Sequence, residues 1–390
     1  MNYKPFIQEI GKVNNPLNDT INVLESKYPN MPLLNLGFHN YTNQVRDKMN
    51  DEQLKQRVFH LVVNKFEHKI NDYDKDLTFL TKKYFNQEVV SRSFYKLWEM
   101  IIVFDLIHLN NSFVSVHLAE NNGSFLQATS FFRDKFSKKG NNKYCIVSND
   151  INECVSNIDK SKIFKSNKEI EESNLEIKMN ETNADLVTAN GTIKFFNSHN
   201  KEMQMYNLII NEIISAISVQ KKNGNFVLKI YDTFTTITLK LICLLRSLYE
   251  KVYIYKPLMS RIFEEERYLV CKNFNITDKT KALSKLKNLK IDIDNIFNKK
   301  NHIFDIFLDY KFDNEFKKDI IKINSKIVNN QHLEINKIIA YKKSGNYFGD
   351  QYHNYRDLQI EATNWWASVF FLKMDELEKR QKELKSMIKE

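Results

Sequence analysis

Between residues 113 and 274, short apolar runs alternate with amphipathic stretches, and that alternation leaves the chain few architectures. FVSVHLAE (113–120), KYCIVSN (143–149), ADLVTAN (184–190), NFVLKIYD (225–232), KVYIYKP (251–257) and ERYLVCKNF (266–274) each read as a strand. Helical patterns fill most of the gaps: SFLQATSFFRDKF, KEMQMYNLIINEIISAISVQ and TFTTITLKLICLLRSLYE. Strands separated by helices pair in parallel, and their sheet is covered by helices on both faces. The last two runs are separated only by residues 258–265, too few for a crossover, so they pair as an antiparallel hairpin. The expected class is α/β, a mostly parallel sheet with an antiparallel final hairpin.

Helical flanks are expected on either side. In residues 1–85, QLKQRVFHLVVNKFEHKI places Val58, Leu61, Val62 and Phe66 on one helical face. SRSFYKLWEMIIVFDLIHL (91–109) is a stronger helix, with Phe94, Leu97, Trp98, Ile101 and Ile102 turned inward. Residues 151–183 are highly polar and read as an exposed excursion with one weak strand near LEIKM. After 275 the chain is helical and Lys-rich. There Trp365, Val369 and Phe370 form a core stripe, and KRQKELKSMIKE reads as a solvated helix. The division is a helical N-terminal extension (1–85), a central domain (86–275) and a helical C-terminal region (276–390).

Composition narrows the class. The net charge of +10 favours polyanionic partners, although lysines spread evenly over a surface give the same total. Cys145, Cys154, Cys243 and Cys271 show no CxxC pairing and suit a reducing compartment. The nine histidines form no HxxxH or Cys/His cluster, so no metal site is expected. No apolar stretch approaches the ~20 residues that span a bilayer. MNYKPFIQEIGKVNN lacks the apolar core of a signal peptide. A soluble, cytoplasmic chain without membrane partners is expected.

One residue breaks the pattern. Lys229 sits inside the apolar run FVLKI, where an unpaired amine is costly to bury. In open α/β sheets chemistry gathers at the carboxyl ends of the strands. Glu120 and the turn around Gly123 stand at the first such end, Asn190-Gly191 at the third, and Glu266 opens the last strand. Lys96 lies on the helix preceding the sheet.

These residues carry a family resemblance. SRSFYKLWE resembles the SRAxxKLxE opening of the FtsJ/RrmJ-like RNA 2′-O-ribose methyltransferases, and VHLAENNGSFLQ is similar to their cofactor loop LCEAPGGF. DLVTANG is similar to DLVxxDG, GNFVLKIYD to GGxFVxKxF, and KPLMSRIFEEERYLVCKNF to KPxxSRxxxSExYxVxxxF. The five motifs occur in order over about residues 90–275. Similar proteins occur in large cytoplasmic DNA viruses and among cap and ribosomal RNA methyltransferases.

The resemblance implies a Rossmann-like methyltransferase sheet, S-adenosylmethionine as cofactor and RNA, including capped mRNA, as substrate. It also implies a Lys-Asp-Lys-Glu tetrad, carried here by Lys96, Lys229 and Glu266, with Asn190 where the family has aspartate. Lys229 would take the ribose hydroxyl's proton. Glu120, Asn121, Asn122, Gly123, Ser124 and Phe125 would line the cofactor, with Asp150 contacting its ribose or adenine. Arg92, Ser260 and Arg261 would meet the RNA. A viral origin would place the protein in a viral factory or virion, and the helical flanks would be available to protein partners. Asn190 and the single-glycine loop leave a second reading, a catalytically silent RNA-binding or scaffold subunit.

Overall fold

The computed structural model describes residues 3–18, 20–29, 32–48, 64–66, 77–109, 112–120, 122–137, 140–147, 163–166, 183–196, 198–344 and 349–389. In chain order the strands are β1 (Phe6–Glu9), β2 (Val23–Ser26), β3 (Ser112–Leu118), β4 (Asn141–Val147), β5 (Ile163–Ser166), β6 (Ala184–Ala189), β7 (Gln220–Ile230), β8 (Tyr249–Lys256), β9 (Arg267–Phe274) and β10 (His302–Ile306). The helices are α1 (Leu36–Asp47), α2 (Leu77–Phe85), α3 (Ser93–Phe104), α4 (Ser124–Phe136), α5 (Lys201–Val219), α6 (Thr236–Leu248), α7 (Thr280–Asn298), α8 (Asn314–Ser344), α9 (Asp350–Phe370) and α10 (Leu377–Lys389).

One eight-stranded sheet, in the order β1-β8-β9-β7-β6-β3-β4-β5, organises the molecule. Strands β3 to β7 run parallel, and β9 lies antiparallel between β7 and β8. The expected α/β class and final hairpin are therefore present. The chain runs outward from β3 to β5 and then returns to β6 on the other side of β3. This reversal opens a crevice at the carboxyl ends of β3 and β6.

Alternation along β7 sorts the core into two layers. Phe226, Leu228 and Ile230 pack with residues of α5, α6, α7 and α8. Val227 packs with α3, α4 and α9. Lys229 follows Val227 by two residues, so the pleat sends it toward the α3 side.

The flanks differ from expectation in detail. Residues 1–85 are not only helical: β1 pairs antiparallel with β8 at the sheet edge, and β2 pairs with β10 of the C-terminal region. Most of the helix expected at 53–70, and the strand expected near LEIKM, lie outside the described residues. β5 forms instead at Ile163–Ser166. In α9 it is Trp366, fully buried, that fills the core, while Trp365 is only partly covered. Trp366 and Phe370 are one helical turn apart, so they share the stripe that faces α3. The terminal helix α10 is partly docked rather than fully solvated: Leu377 is buried, and Gln381 and Lys385 both reach Asp105. Cys145, Cys243 and Cys271 are buried free thiols, and Cys154 lies outside the described residues. No described helix is long and apolar enough to cross a membrane.

Candidate active site

Two residues in left-handed conformation shape the crevice wall. Ala119 (φ 50°) ends β3 and Gly123 (φ 74°) caps α4, with Glu120 between them. The Asn122 side chain accepts from the Ser124 amide at 3.3 Å and the Ser124 hydroxyl at 2.6 Å, tightening the turn. Ser124 also lies 2.6 Å from the Ser91 hydroxyl, which ties this loop to the start of α3.

Glu120 is the anomaly here. It is 1% exposed, and neither carboxyl oxygen has a hydrogen-bond partner. Burial pushes its carboxyl up to about 7. The Phe125, Ser124 and Gly123 amides offset part of that cost without reaching hydrogen-bonding geometry, and Lys229 offsets a little more. A group bringing donors, such as ribose hydroxyls, would satisfy it.

Deeper in the crevice, cations surround Glu266. Lys96 donates to Glu266 Oε1 at 2.6 Å, Ser260 Oγ donates to the same oxygen at 2.7 Å, and Lys229 stands 3.6 Å from Oε2. Burial alone would raise the Glu266 carboxyl. Lys96 and then Lys229, with the two hydrogen bonds, outweigh it and hold the group well below the usual carboxylate range. Lys96 is aimed by its own helix. One turn on, buried Glu99 accepts from the Tyr255 hydroxyl, the Leu258 amide (2.8 Å) and the Trp366 indole (3.2 Å).

Asn190 ends β6 beside β7, and its Oδ1 accepts from the Tyr268 hydroxyl at 3.4 Å. Tyr268 is the cross-strand partner of Lys229, so Asn190 is linked to the lysine's neighbour. Arg261 is partly exposed and bonds Glu264 at 3.2 Å, and Arg92 precedes α3, also partly exposed. Ser260 is 1% exposed and serves Glu266. Phe125 is buried near Tyr268, their ring centroids 6.1 Å apart. Asn121 and Asp150 lie outside the described residues.

Three further features escaped the sequence reading. Lys256, at the end of β8, donates to the Glu264 and Glu266 carbonyls at 2.6 and 2.9 Å; burial lowers its amine to about 8, with Glu266 opposing. It carries the same signal as Lys229, a lysine in an apolar strand. Glu212 of α5 accepts from the Gly191 amide at 3.2 Å. Asp232, just past β7, bridges Arg267 (2.9 Å) and Arg46 of α1 (2.5 and 3.0 Å), and Arg46 also donates to Gln331 of α8 at 2.8 Å.

Comparison with known proteins fits this geometry. Residues 89–274 match the FtsJ-like methyltransferase family. Over 170 residues the chain is 29% identical to cap-specific mRNA (nucleoside-2′-O-)-methyltransferase 1 of Caenorhabditis elegans, covering 43% of this chain and 18% of that protein. It is 27% identical over 186 residues to an inactive cap-specific mRNA (nucleoside-2′-O-)-methyltransferase 1B of Caenorhabditis briggsae, covering 46% and 22%. An uncharacterised protein of Acanthamoeba polyphaga mimivirus is 24% identical over 281 residues, covering 71% and 65%. The chain spans about a fifth of the length of the nematode relatives it matches.

Proposed function

We propose, from the premise that residues 89–274 are an FtsJ-like methyltransferase region, that the protein transfers a methyl group from S-adenosylmethionine to a ribose 2′-oxygen of RNA, with capped mRNA as its substrate. The observation that carries this reading is the convergence of Lys96 and Lys229 on buried Glu266. When bound, S-adenosylmethionine supplies a sulfonium methyl group as electrophile. The residues near the crevice mouth suit it: the left-handed turn at Gly123 allows close backbone approach, and Glu120 has unpartnered oxygens for its donors. Ser124 and Phe125 would complete that wall, with Asn121 and Asp150 as further proposed contacts.

Lys229 takes the proton that the ribose hydroxyl loses and becomes an ammonium. Glu266 stabilises that charge, and Lys96 holds Glu266 ionised and in place. Asn190 orients the assembly through Tyr268. Arg92 and Arg261 would contact phosphates from the rim, while Ser260 acts on RNA only through Glu266. Phe196, 95% exposed on the loop after β6, offers a ring on which a base can stack. Residues 86–275 would form the catalytic unit, with 1–85 and 276–390 as additions open to protein partners. The mimivirus relative supports a viral origin, and a cytoplasmic setting is proposed with it.

A second reading keeps the fold without turnover, as an RNA-binding or scaffold subunit. Asn190 in place of an aspartate favours it, and an inactive relative is known. Single-turnover transfer of labelled methyl to capped and uncapped RNA separates the two. Label at a ribose 2′-oxygen is the expected result; no transfer with salt-sensitive RNA binding intact would establish the silent subunit.

A further inference from the structure

We propose that the two flanks complete the active site: Arg46 of α1 and Gln331 of α8 are positioning residues that hold the segment carrying Glu266. This rests on the methyltransferase reading above. Residues 257–266 join β8 to β9 without a helix or strand of their own, yet they carry Ser260, Arg261 and Glu266. The shape of such a segment is set by the groups that bond its backbone. Lys256 does so from within, at the Glu264 and Glu266 carbonyls. Gln331, fully buried, does so from the C-terminal flank: its Nε2 donates to the Glu264 carbonyl at 3.0 Å. Arg46 sets which way that amide faces. It donates to Gln331 Oε1 at 2.8 Å, which leaves the Nε2 end for the segment. Both residues lie outside the stretch that matches the family.

The same pair reaches the segment's other residues. Arg46 spans Asp232 with two hydrogen bonds, 2.5 and 3.0 Å, and stands 3.6 Å from Glu265 Oε1. Asp232 in turn accepts at 2.9 Å from Arg267, the residue after Glu266. Arg267 is fully buried and also donates to Thr233 (2.7 Å) and to Asn324 of α8 (3.1 Å). Asn324 and Gln331 are seven positions apart, two helical turns, so α8 presents both amides along one face. Glu264, Glu265 and Arg267 are thus each held by a flank residue, with Glu266 among them. Stability does not explain this choice. Packed apolar side chains would serve as well as a buried Arg–Asp–Arg cluster. What directional, charge-assisted hydrogen bonds add is one fixed placement of the backbone. That placement matters at Glu266, whose carboxylate meets Lys96 at 2.6 Å and Lys229 at 3.6 Å.

The test uses the full chain with Gln331→Met, Arg46→Met, Glu266→Gln and the Gln331→Met/Glu266→Gln double variant. At saturating RNA and S-adenosylmethionine, Gln331→Met and Arg46→Met should each lower the single-turnover rate about 10- to 100-fold, as misplacement by about 1 Å does. S-adenosylhomocysteine affinity should stay within about two-fold, since its proposed turn lies at Gly123. Gln331→Met leaves the Arg46–Asp232–Arg267 contacts in place, so it carries the test should Arg46→Met unfold. The double variant separates positioning from general support: without the Glu266 carboxylate, Gln331→Met should slow transfer by less than about three-fold. An unchanged rate in Gln331→Met, or the full loss in both backgrounds, overturns the proposal. A second readout needs no turnover. Amide hydrogen exchange over residues 258–266 should quicken about 10-fold in Gln331→Met, with residues 124–136 unchanged. Unaltered exchange overturns the proposal, and exchange decides if Glu266→Gln is too slow to follow. If exchange quickens and wild type transfers no methyl to any RNA, the preceding functional reading fails and the hold of the flanks on this segment stands.

Discussion

The two sides of Lys229 follow opposite electrostatic rules. Toward α3, the Glu266 carboxylate is enclosed by Lys96, Lys229 and Ser260 and stays ionised to unusually low pH. Toward the turn around Gly123 and α5, Glu120 and Glu212 are as deeply buried, yet three of their four carboxyl oxygens lack a hydrogen bond, and burial pushes them up to about 7 and about 8. The first side completes itself within the fold. The second does not: its three open oxygens meet no donor among the described residues. A stable scaffold needs only the first kind of cluster; the second is what the proposed ligand site would use.

The sharpest way to break the contrast is to remove the group both sides share. Lys229→Ala should lower the methyl-transfer rate by about 10²–10⁴-fold with RNA affinity retained, since it deletes the proposed proton acceptor. Rapid-quench kinetics would check this, and a rate within a factor of a few of wild type would contradict the mechanism. Breaking the paired side alone should act on stability. Glu266→Ala leaves buried lysines without their carboxylate and should cost about 3–5 kcal/mol in urea unfolding. A loss below about 1 kcal/mol would mean the cluster is solvated in solution.

Breaking the open side should spare the fold and remove the ligand. Gly123→Val forces a β-branched residue to φ 74° at the proposed cofactor turn. S-adenosylhomocysteine should raise the melting temperature of wild type and leave that of the variant unchanged. A retained shift would place the cofactor elsewhere.

The smallest effect sharpens the comparison through pH. Glu120 and Glu212 hold protons in the folded state that the unfolded chain releases above its ordinary carboxyl value of 4.5. Their contribution to stability therefore falls as pH rises from there to about 7 and about 8. Glu266 has the opposite sign: its contribution is present above 4.5 and is lost only as pH falls through its depressed folded value. Unfolding free energies at about pH 5.5 and about pH 8 should decline for wild type, and less steeply for Glu120→Gln/Glu212→Gln. Equal slopes would show that neither carboxyl is protonated in the fold.

Much of this was legible beforehand, for a physical reason. Strands β3, β4 and β6 to β9 are buried on both faces and so read as apolar runs, and a lysine inside such a run stands out. β1 was not legible. FIQE is four residues long with no residue fully buried, and its partner β8 lies more than 240 positions away. The Arg46–Asp232 pair joins residues 186 apart, beyond any local pattern. Glu212 was in plain view in NEIISAI, but an acid on a helix is ordinarily solvated, and only the sheet's closeness at Gly191 shows otherwise. Trp366 was missed for its neighbour Trp365 because adjacent aromatics leave the helical phase ambiguous by one position.

The grip of α9 on α3 has a consequence for how this protein can decay. The Trp98 indole donates to the Phe370 carbonyl at 2.8 Å, and the Trp366 indole donates to Glu99 at 3.2 Å, both in the turn that follows Lys96. The lysine's aim is thus inherited from residues some 270 positions downstream, beyond the stretch that matches the family. A lineage drifting at Trp366 would lose the alignment of Lys96 while every motif of the site stayed intact, and its descendants would look like enzymes on paper long after the chemistry had stopped.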